Sequence, residues 1–451
     1  MKRQIIFRVD GGPHIGWGHI RRCLSLAEGL REKAIQSIFI TRDIDQEIGK
    51  RITSNGHLIE RLPAKIDLKE DLNLTIKLIR KHKPDLVITD SYEINQHYLE
   101  ELKRLGVTLM SIDDLAKLHF CSDIVLNQNI EAKLSDYSTE RYTKLLLGAK
   151  YALLKKELRG KHGLEEIKEI AKNILITLGG SDLNNQTLKA VKALKRIKND
   201  IEITVIIGPG YQYEEILRKE MAADNRFLLL RDPQDIFNLM ERADLSISAG
   251  GSTCYELAYL GVPNIILVLA DNQKKLADGL DNYGNSVSLG WFEDVTEESI
   301  KEAVEDLIDN KARREEMSRK GRELVDGRGV ERVANEMEAA TEKKKRPVIT
   351  EEIIQAITHK IVRKIHPDKI ILFGSYADGT PHHHSDIDLF VIVDSHLRRD
   401  NRSMKISRLF PDRLFALDAL VYTPKEVELS LKRNNPFIKG ILTEGKVLYA
   451  R

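Results

Sequence analysis

Cysteine is scarce in this 451-residue sequence: Cys23, Cys121 and Cys254 are scattered and odd in number. That excludes a disulfide framework, and the spacing offers no zinc ligand set, so each reads as a buried thiol. Long apolar runs are missing too, since no stretch approaches the roughly 18 to 20 residues that a membrane helix needs. The opening MKRQIIFRVDGG has no signal-peptide core and runs straight into strand-like sequence, which predicts a cytoplasmic protein. A charge excess of one sign is also absent. The 71 Lys and Arg against 69 Asp and Glu leave +2, a balance that argues neither for nor against nucleic acid. With 42% hydrophobic and 31% charged residues, the composition is that of a globular chain.

What is present is a rhythm. Short apolar runs (QIIFRVD, SIFIT, DLVITDS, TLMSIDD) alternate with helix-like segments such as CLSLAEGLREK and YLEELKRLG. Such alternation implies βαβ units and a parallel sheet. It restarts at NILITLGG and continues through IEITVIIG, RFLLLRD, LSISAGG and NIILVLA. The expected organisation is α/β: two doubly wound Rossmann-like domains, 1–160 and 161–338, a linker 339–350, and a small α+β domain 351–451. The linker contains EKKKRP, a solvated basic segment; nucleic acid is not an expected partner.

Open α/β sheets bind ligands at the carboxyl ends of their strands. The loop GGPHIGWGHIRRC follows the first strand, with Gly18 opening a helix whose N-terminus favours an anion. The GxGxxG spacing of a dinucleotide site is absent. His19 stands at the strand-to-helix turn, placed either to move protons in the cleft or simply to cap the helix. Asp10 ends the first strand and is expected to orient His19 or a water; Tyr92, at another strand end, is a candidate for lining the ligand pocket. In the second domain LGGSD brings the backbone of Gly180 and Ser181 to a phosphate. The run SAGGSTCYELAYLG offers Gly250, Gly251, Ser252 and Thr253 at a helix start, with Glu256 one turn on for ribose. A nucleoside diphosphate fits that arrangement.

The last hundred residues carry a different signal. IILFGSYADGTPHHHSDIDLFVIVD is a strand, a Gly374-Ser375 turn, ten intervening residues, and Asp386-x-Asp388 inside a second strand. Glycine admits a phosphate to backbone N–H groups, and Ser375 can donate its hydroxyl. Carboxylates at i and i+2 share a strand face and suit Mg²⁺, a hard cation. Asp418, in RLFALDALVYT, is the expected third acid. His382, His383, His384 and Asp378 read as solvated loop residues.

These motifs carry two resemblances. Residues 350–451 resemble the minimal nucleotidyltransferases of the DNA polymerase β superfamily, whose signature is GS, ten residues, then DxD. That implies Mg²⁺ at Asp386, Asp388 and Asp418 and a nucleoside triphosphate, ATP in expectation, with an unknown acceptor. GWGHIRRCLSLA, LGGSD and SAGGSTCYELAYLGVP-to-ADNQ make residues 1–335 resemble the UDP-2,4-diacetamido-2,4,6-trideoxy-β-L-altropyranose hydrolases of the pseudaminic acid pathway. These are related to spore-coat polysaccharide proteins and to B-type glycosyltransferases. The resemblance implies a UDP-sugar substrate, no cofactor, His19 as the catalytic residue, Gly251, Ser252 and Thr253 on the diphosphate, Glu256 on ribose, and Asn272 on sugar or diphosphate. Gly11 and Gly12 depart from the usual Ala-Ser of the loop, and His14 is an extra imidazole. Two alternatives stay open: a front half that delivers the sugar to an acceptor other than water, and a tail that is regulatory or antitoxin-like.

Overall fold

Runs of isoleucine, leucine and valine bounded by turn residues become the parallel strands of this chain, buried on both faces where they lie centrally. The computed structural model describes residues 3–11, 17–42, 44, 46–159, 166–233, 235–344, 349–379, 386–411 and 416–451. It divides into two units, Met1–Glu338 and Ala339–Arg451.

The larger unit holds two sheets. The first draws on β1 (Gln4–Val9), β2 (Gln36–Thr41), β3 (Leu58–Arg61), β4 (Leu86–Asp90) and β5 (Thr108–Ile112). After β6 (His119–Phe120) come β7 (Ile124–Asn127), β8 (Ser138–Thr139) and β9 (Lys144–Leu147), with β6 and β8 forming a separate short ladder. The order is β3-β2-β1-β4-β5-β7-β9, every pairing parallel. The second sheet contains β10 (Asn173–Thr177), β11 (Glu202–Ile207), β12 (Phe227–Arg231), β13 (Leu245–Ala249), β14 (Asn264–Val268) and β15 (Ser286–Trp291). Its order is β12-β11-β10-β13-β14-β15, again all parallel. In each sheet the winding reverses at one place, between β1 and β4 and between β10 and β13. In open α/β sheets such a reversal is where a ligand crevice forms.

The helix Gly329–Lys344 returns to the first sheet's side of this unit. Arg3 Nη1 donates to Glu338 Oε1 at 2.8 Å and Lys33 Nζ to Asn335 Oδ1 at 2.8 Å. Gly29 lets it come close, since a Cβ there would meet Val330 Cγ1 at 2.3 Å. Because this helix runs on to Lys344, the expected linker 339–350 starts as helix; residues 345–348 lie outside the described residues.

The smaller unit is a four-stranded sheet, β18-β17-β16-β19, from β16 (Lys369–Phe373), β17 (Ile387–Ile392), β18 (Leu417–Tyr422) and β19 (Lys446–Ala450). The β17/β18 pair is parallel and the others are antiparallel. Ile354, Ile357 and Ile361 of the helix Glu351–Ile365 cover one face over Ile370, Leu372, Leu389 and Val391. Ile438 and Ile441 cover the other over Ile371 and Phe390. Each such buried side chain contributes about 1.5–3 kcal/mol. Among the described residues no helix is long and apolar enough to cross a membrane.

Candidate functional site

The two switch points of the larger unit face a shared cleft of about 370 Å³. The sequence-predicted Gly18, His19, Tyr92, Gly180, Ser181, Gly250, Gly251, Ser252, Thr253 and Asn272 all line it.

His19 sits in the first turn of the helix Gly18–Glu32 and is 6% exposed. Its Nδ1 lies 2.5 Å from Oδ1 of Asp90, the last residue of β4. Since β1 and β4 are neighbours in register, with Val9 opposite Asp90, the loop after β1 drops His19 onto the end of β4. Arg22, one turn along the same helix, donates Nε to Asp90 Oδ2 at 2.6 Å and Nη2 to Oδ1 at 2.5 Å. Burial alone would raise the Asp90 pKa, but the Arg22 and His19 charges and hydrogen bonds outweigh it and hold the carboxyl well below the usual range. An ionised Asp90 on Nδ1 fixes the tautomer with the proton there and leaves Nε2 as the basic nitrogen.

The orienting role expected of Asp10 therefore falls to Asp90. Asp10 is committed elsewhere, to Arg8 Nη1 at 2.8 Å and to Arg42 through the backbone N at 2.9 Å and Nη2 at 2.9 Å. Among the described contacts it pairs with these two arginines and not with the imidazole.

Tyr92 lays its ring edge-on to His19, centroids 4.6 Å apart, and donates its hydroxyl to Asp114 Oδ2 at 3.0 Å. Burial and Asp114 push the phenol well up, so it stays protonated. Asn272 Nδ2 reaches across from the second sheet's side to donate to the same hydroxyl at 3.1 Å. Arg22 Nη1 completes the group, donating to Asp114 Oδ2 at 3.2 Å.

On the opposite wall, Gly180 is required for space: a Cβ there would meet Trp17 Cδ1 at 2.5 Å. Asp182, at φ +38, shapes this turn by accepting from Gln186 N at 2.9 Å and Thr187 N at 2.7 Å. Gly251 is open, with nothing within 4 Å of an added Cβ, and precedes the helix Thr253–Leu260. The first N–H groups of a helix lack intrahelical partners and suit an anion. Glu256 is buried in a recess beside the main cleft, shared with Arg21, Ser252 and Lys155, whose Nζ lies 3.5 Å away. Behind the cleft Tyr255 joins the two halves: its hydroxyl donates to Gln128 O at 2.8 Å and accepts from Ile130 N at 3.2 Å.

The smaller unit holds the second candidate site. Gly374, at φ +70, turns out of β16 in the left-handed region that favours glycine, and a Cβ there would lie 2.5 Å from Asp388 Oδ2. Asp388 stands opposite Phe373 on one side and Asp418 on the other. Burial, then the charges of Asp418 and Asp386, push the Asp388 carboxyl up to about 6. Among the described residues no three His, Cys, Asp or Glu side chains are already gathered as a metal cage. Asp418 and Asp386 act on Asp388 as like charge, which hard divalent cations suit, and Gly374 turns out of β16 beside Asp388. Asp378 is exposed. His14 and His382, His383 and His384 fall outside the described residues.

Sequence reasoning missed Asp90, Arg22 and Asp114. The signal was there: each polar residue ends an apolar run (VITD, SIDD) or follows His19 by one helical turn.

A family model described as "Glycosyltransferase family 28 C-terminal domain" matches residues 173–335, and one described as "Polymerase beta, Nucleotidyltransferase" matches residues 355–451. The chain is 28% identical over 289 residues to a UDP-2,4-diacetamido-2,4,6-trideoxy-β-L-altropyranose hydrolase of Campylobacter jejuni, covering 63% of this chain and 98% of that one. An uncharacterized protein of Methanocaldococcus jannaschii is 31% identical over 288 residues, 62% of this chain; the chain spans only 58% of its length. A second protein of that organism, named "Putative protein adenylyltransferase", is 38% identical over 104 residues, 22% of this chain and 71% of its own. Among solved structures, MurG of Acinetobacter baumannii shares the fold with a TM-score of 0.56 at 16% identity, over 75% of this chain and 99% of that one.

Proposed function

From the premise that the chain belongs, through residues 355–451, to the polymerase β nucleotidyltransferase family, and that its larger unit has the B-type glycosyltransferase fold, we propose a bifunctional sugar-nucleotide enzyme. The larger unit hydrolyses a UDP-linked 2,4-diacetamido-2,4,6-trideoxy sugar to UDP and free sugar. The observation that carries this reading is the His19–Asp90 pair at 2.5 Å, on the wall of a cleft whose other wall presents a helix start.

His19 Nε2 takes a proton from water as the water oxygen bonds to the anomeric carbon. The bond from that carbon to the diphosphate breaks, and the electron pair leaves with UDP. Backbone N–H groups around Gly251, Ser252 and Thr253 receive the diphosphate, with Glu256 beside the ribose in the adjoining recess. Asp90 stabilises the imidazolium that forms, as an ionised partner on Nδ1 does. The alternative, transfer of the sugar to another acceptor, uses the same walls and is favoured by the fold alone.

In the smaller unit, Asp386, Asp388 and Asp418 would hold Mg²⁺, which when bound supplies the positive charge that a triphosphate needs. The Gly374 and Ser375 turn then presents backbone N–H groups and a hydroxyl to the phosphates. The nucleotide is expected to be ATP.

The test is to incubate the full-length chain and its His19→Ala variant with UDP-2,4-diacetamido-2,4,6-trideoxy-β-L-altropyranose and measure UDP and free sugar. Release of both by the wild type, reduced by about 10²–10⁴-fold in the variant with UDP binding kept, supports the reading. UDP binding without release in the wild type points to transfer onto a missing acceptor. Near-normal turnover by the variant removes His19 from the chemistry.

A further inference from the structure

We propose that Asp114 selects the sugar, accepting through Oδ1 a hydrogen bond from an N–H or O–H of the sugar carried into the cleft. This rests on the sugar-nucleotide reading above. The two oxygens of this cleft-lining carboxylate are used unequally. Oδ2 accepts twice, from Arg22 Nη1 at 3.2 Å and Tyr92 OH at 3.0 Å. Oδ1 is shielded from solvent and, among the described residues, has no hydrogen-bond partner. A buried acceptor without a partner is unfavourable, and a ligand that brings a donor recovers the loss.

Charge bounds the chemistry of that donor. Phosphates carry acceptors and negative charge, so a carboxylate repels them; their place is the helix start on the other wall. What remains for the Asp114 side is the sugar. Asp114 is also tied to His19 by two routes, which puts the group it reads beside the bond under attack. Arg22 touches both, lying 3.1 Å from His19 Nδ1 through Nη2. Tyr92 packs on the imidazole while its hydroxyl holds Asp114. An acetamido N–H or a ring hydroxyl satisfies Oδ1; a keto oxygen or a carboxylate in the same position is refused.

Asp114→Asn is the informative change. Arg22 and Tyr92 both donate toward the Oδ2 position, so they hold the carboxamide oxygen there and turn its NH₂ to the Oδ1 position, where a sugar donor now meets a donor. By calorimetry, D114N should bind UDP as the wild type does, yet bind UDP-2,4-diacetamido-2,4,6-trideoxy-β-L-altropyranose about tenfold or more weakly. Unchanged affinity for the sugar nucleotide overturns the proposal. So does an equal loss for UDP with a lowered melting temperature, which marks Asp114 as structural. If D114N does not fold, the wild type still decides. A sugar nucleotide with its sugar N–H and O–H groups methylated should bind about tenfold or more weakly than its parent, and equal binding overturns the inference. Failure of the wild type to bind UDP at all would sink the nucleotide reading first and this one with it.

Discussion

Asp90 and Asp388 are the same residue type on strands that carry a site, and their surroundings drive them in opposite directions. Asp90 lies against Arg22 and His19 and its carboxyl is held well below the usual range. Asp388 lies against Asp418 and Asp386 and is pushed up to about 6. Burial pushes both carboxyls upward, and Asp90 is the more enclosed of the two, so the neighbours decide the sign. The first centre is electrostatically complete within the chain and needs no added charge to poise a base. The second is a cluster of like negative charge, an environment that a hard divalent cation suits. The lesson concerns how a site is prepared: one by internal pairing, the other by leaving repulsion for a ligand to relieve.

That contrast can be broken by experiment. The largest effect is expected from Asp386→Ala combined with Asp388→Ala. Mg²⁺-dependent nucleotide transfer should fall by about 10³-fold or more, while UDP release stays at the wild-type rate. Loss of both activities would show that the two units work as one. Next comes Asp90→Asn, which leaves the buried Arg22 without its main counter-charge. Denaturant melts should report about 3 kcal/mol lost, together with slower UDP release. An unchanged midpoint would deny that the pairing completes the centre.

A third expectation concerns pH. The carboxyl of Asp388 holds its proton more tightly in the folded chain, at about 6, than at the ordinary value of 3.8. Its contribution to stability is therefore fully present below about pH 4 and is lost as pH rises through about 6. Scanning calorimetry of the full chain should show Mg²⁺ raising the transition of the smaller unit at pH 7.5 and leaving it unmoved at pH 4. Equal shifts at both would separate the metal from these acids. The smallest effect is expected from Gly374→Ala, about 1–2 kcal/mol for the left-handed backbone, with nucleotide transfer reduced by displacement of Asp388 and UDP release untouched. A stability equal to wild type would mean that the turn relaxes without cost.

Nearly all of the fold was legible from sequence because a parallel sheet buried on both faces writes itself as continuous apolar runs, and QIIFRVD, DLVITDS, NILITLGG and LSISAGG mark the central strands directly. Reading both segments as apolar strands put Asp388 and Asp418 on neighbouring strands, where they pair in register, but set Asp386 inside a strand that begins one residue later, at Ile387. What stayed hidden was the partner of His19. Asp10 is near His19 in sequence, Asp90 is 71 residues away, and only the insertion of β1 beside β4 makes the distant one the neighbour. Arg42 and Arg8 meanwhile capture Asp10, a contact between strands that no local spacing encodes. The length of the helix after Gly329 was missed for a similar reason, since a lysine-rich segment reads as linker until the helix is seen docked on the first sheet's side.

Tyr255 gives the cleft a pivot. Its hydroxyl, fully enclosed, is bonded on both sides to the Gln128–Ile130 backbone at the rear, whereas the Asn272–Tyr92 contact at the front is exposed. Breaking the rear pair strands buried polar groups; breaking the front one hands them to water. Parting the two walls at Asn272 and Tyr92 therefore costs less than parting them at Tyr255.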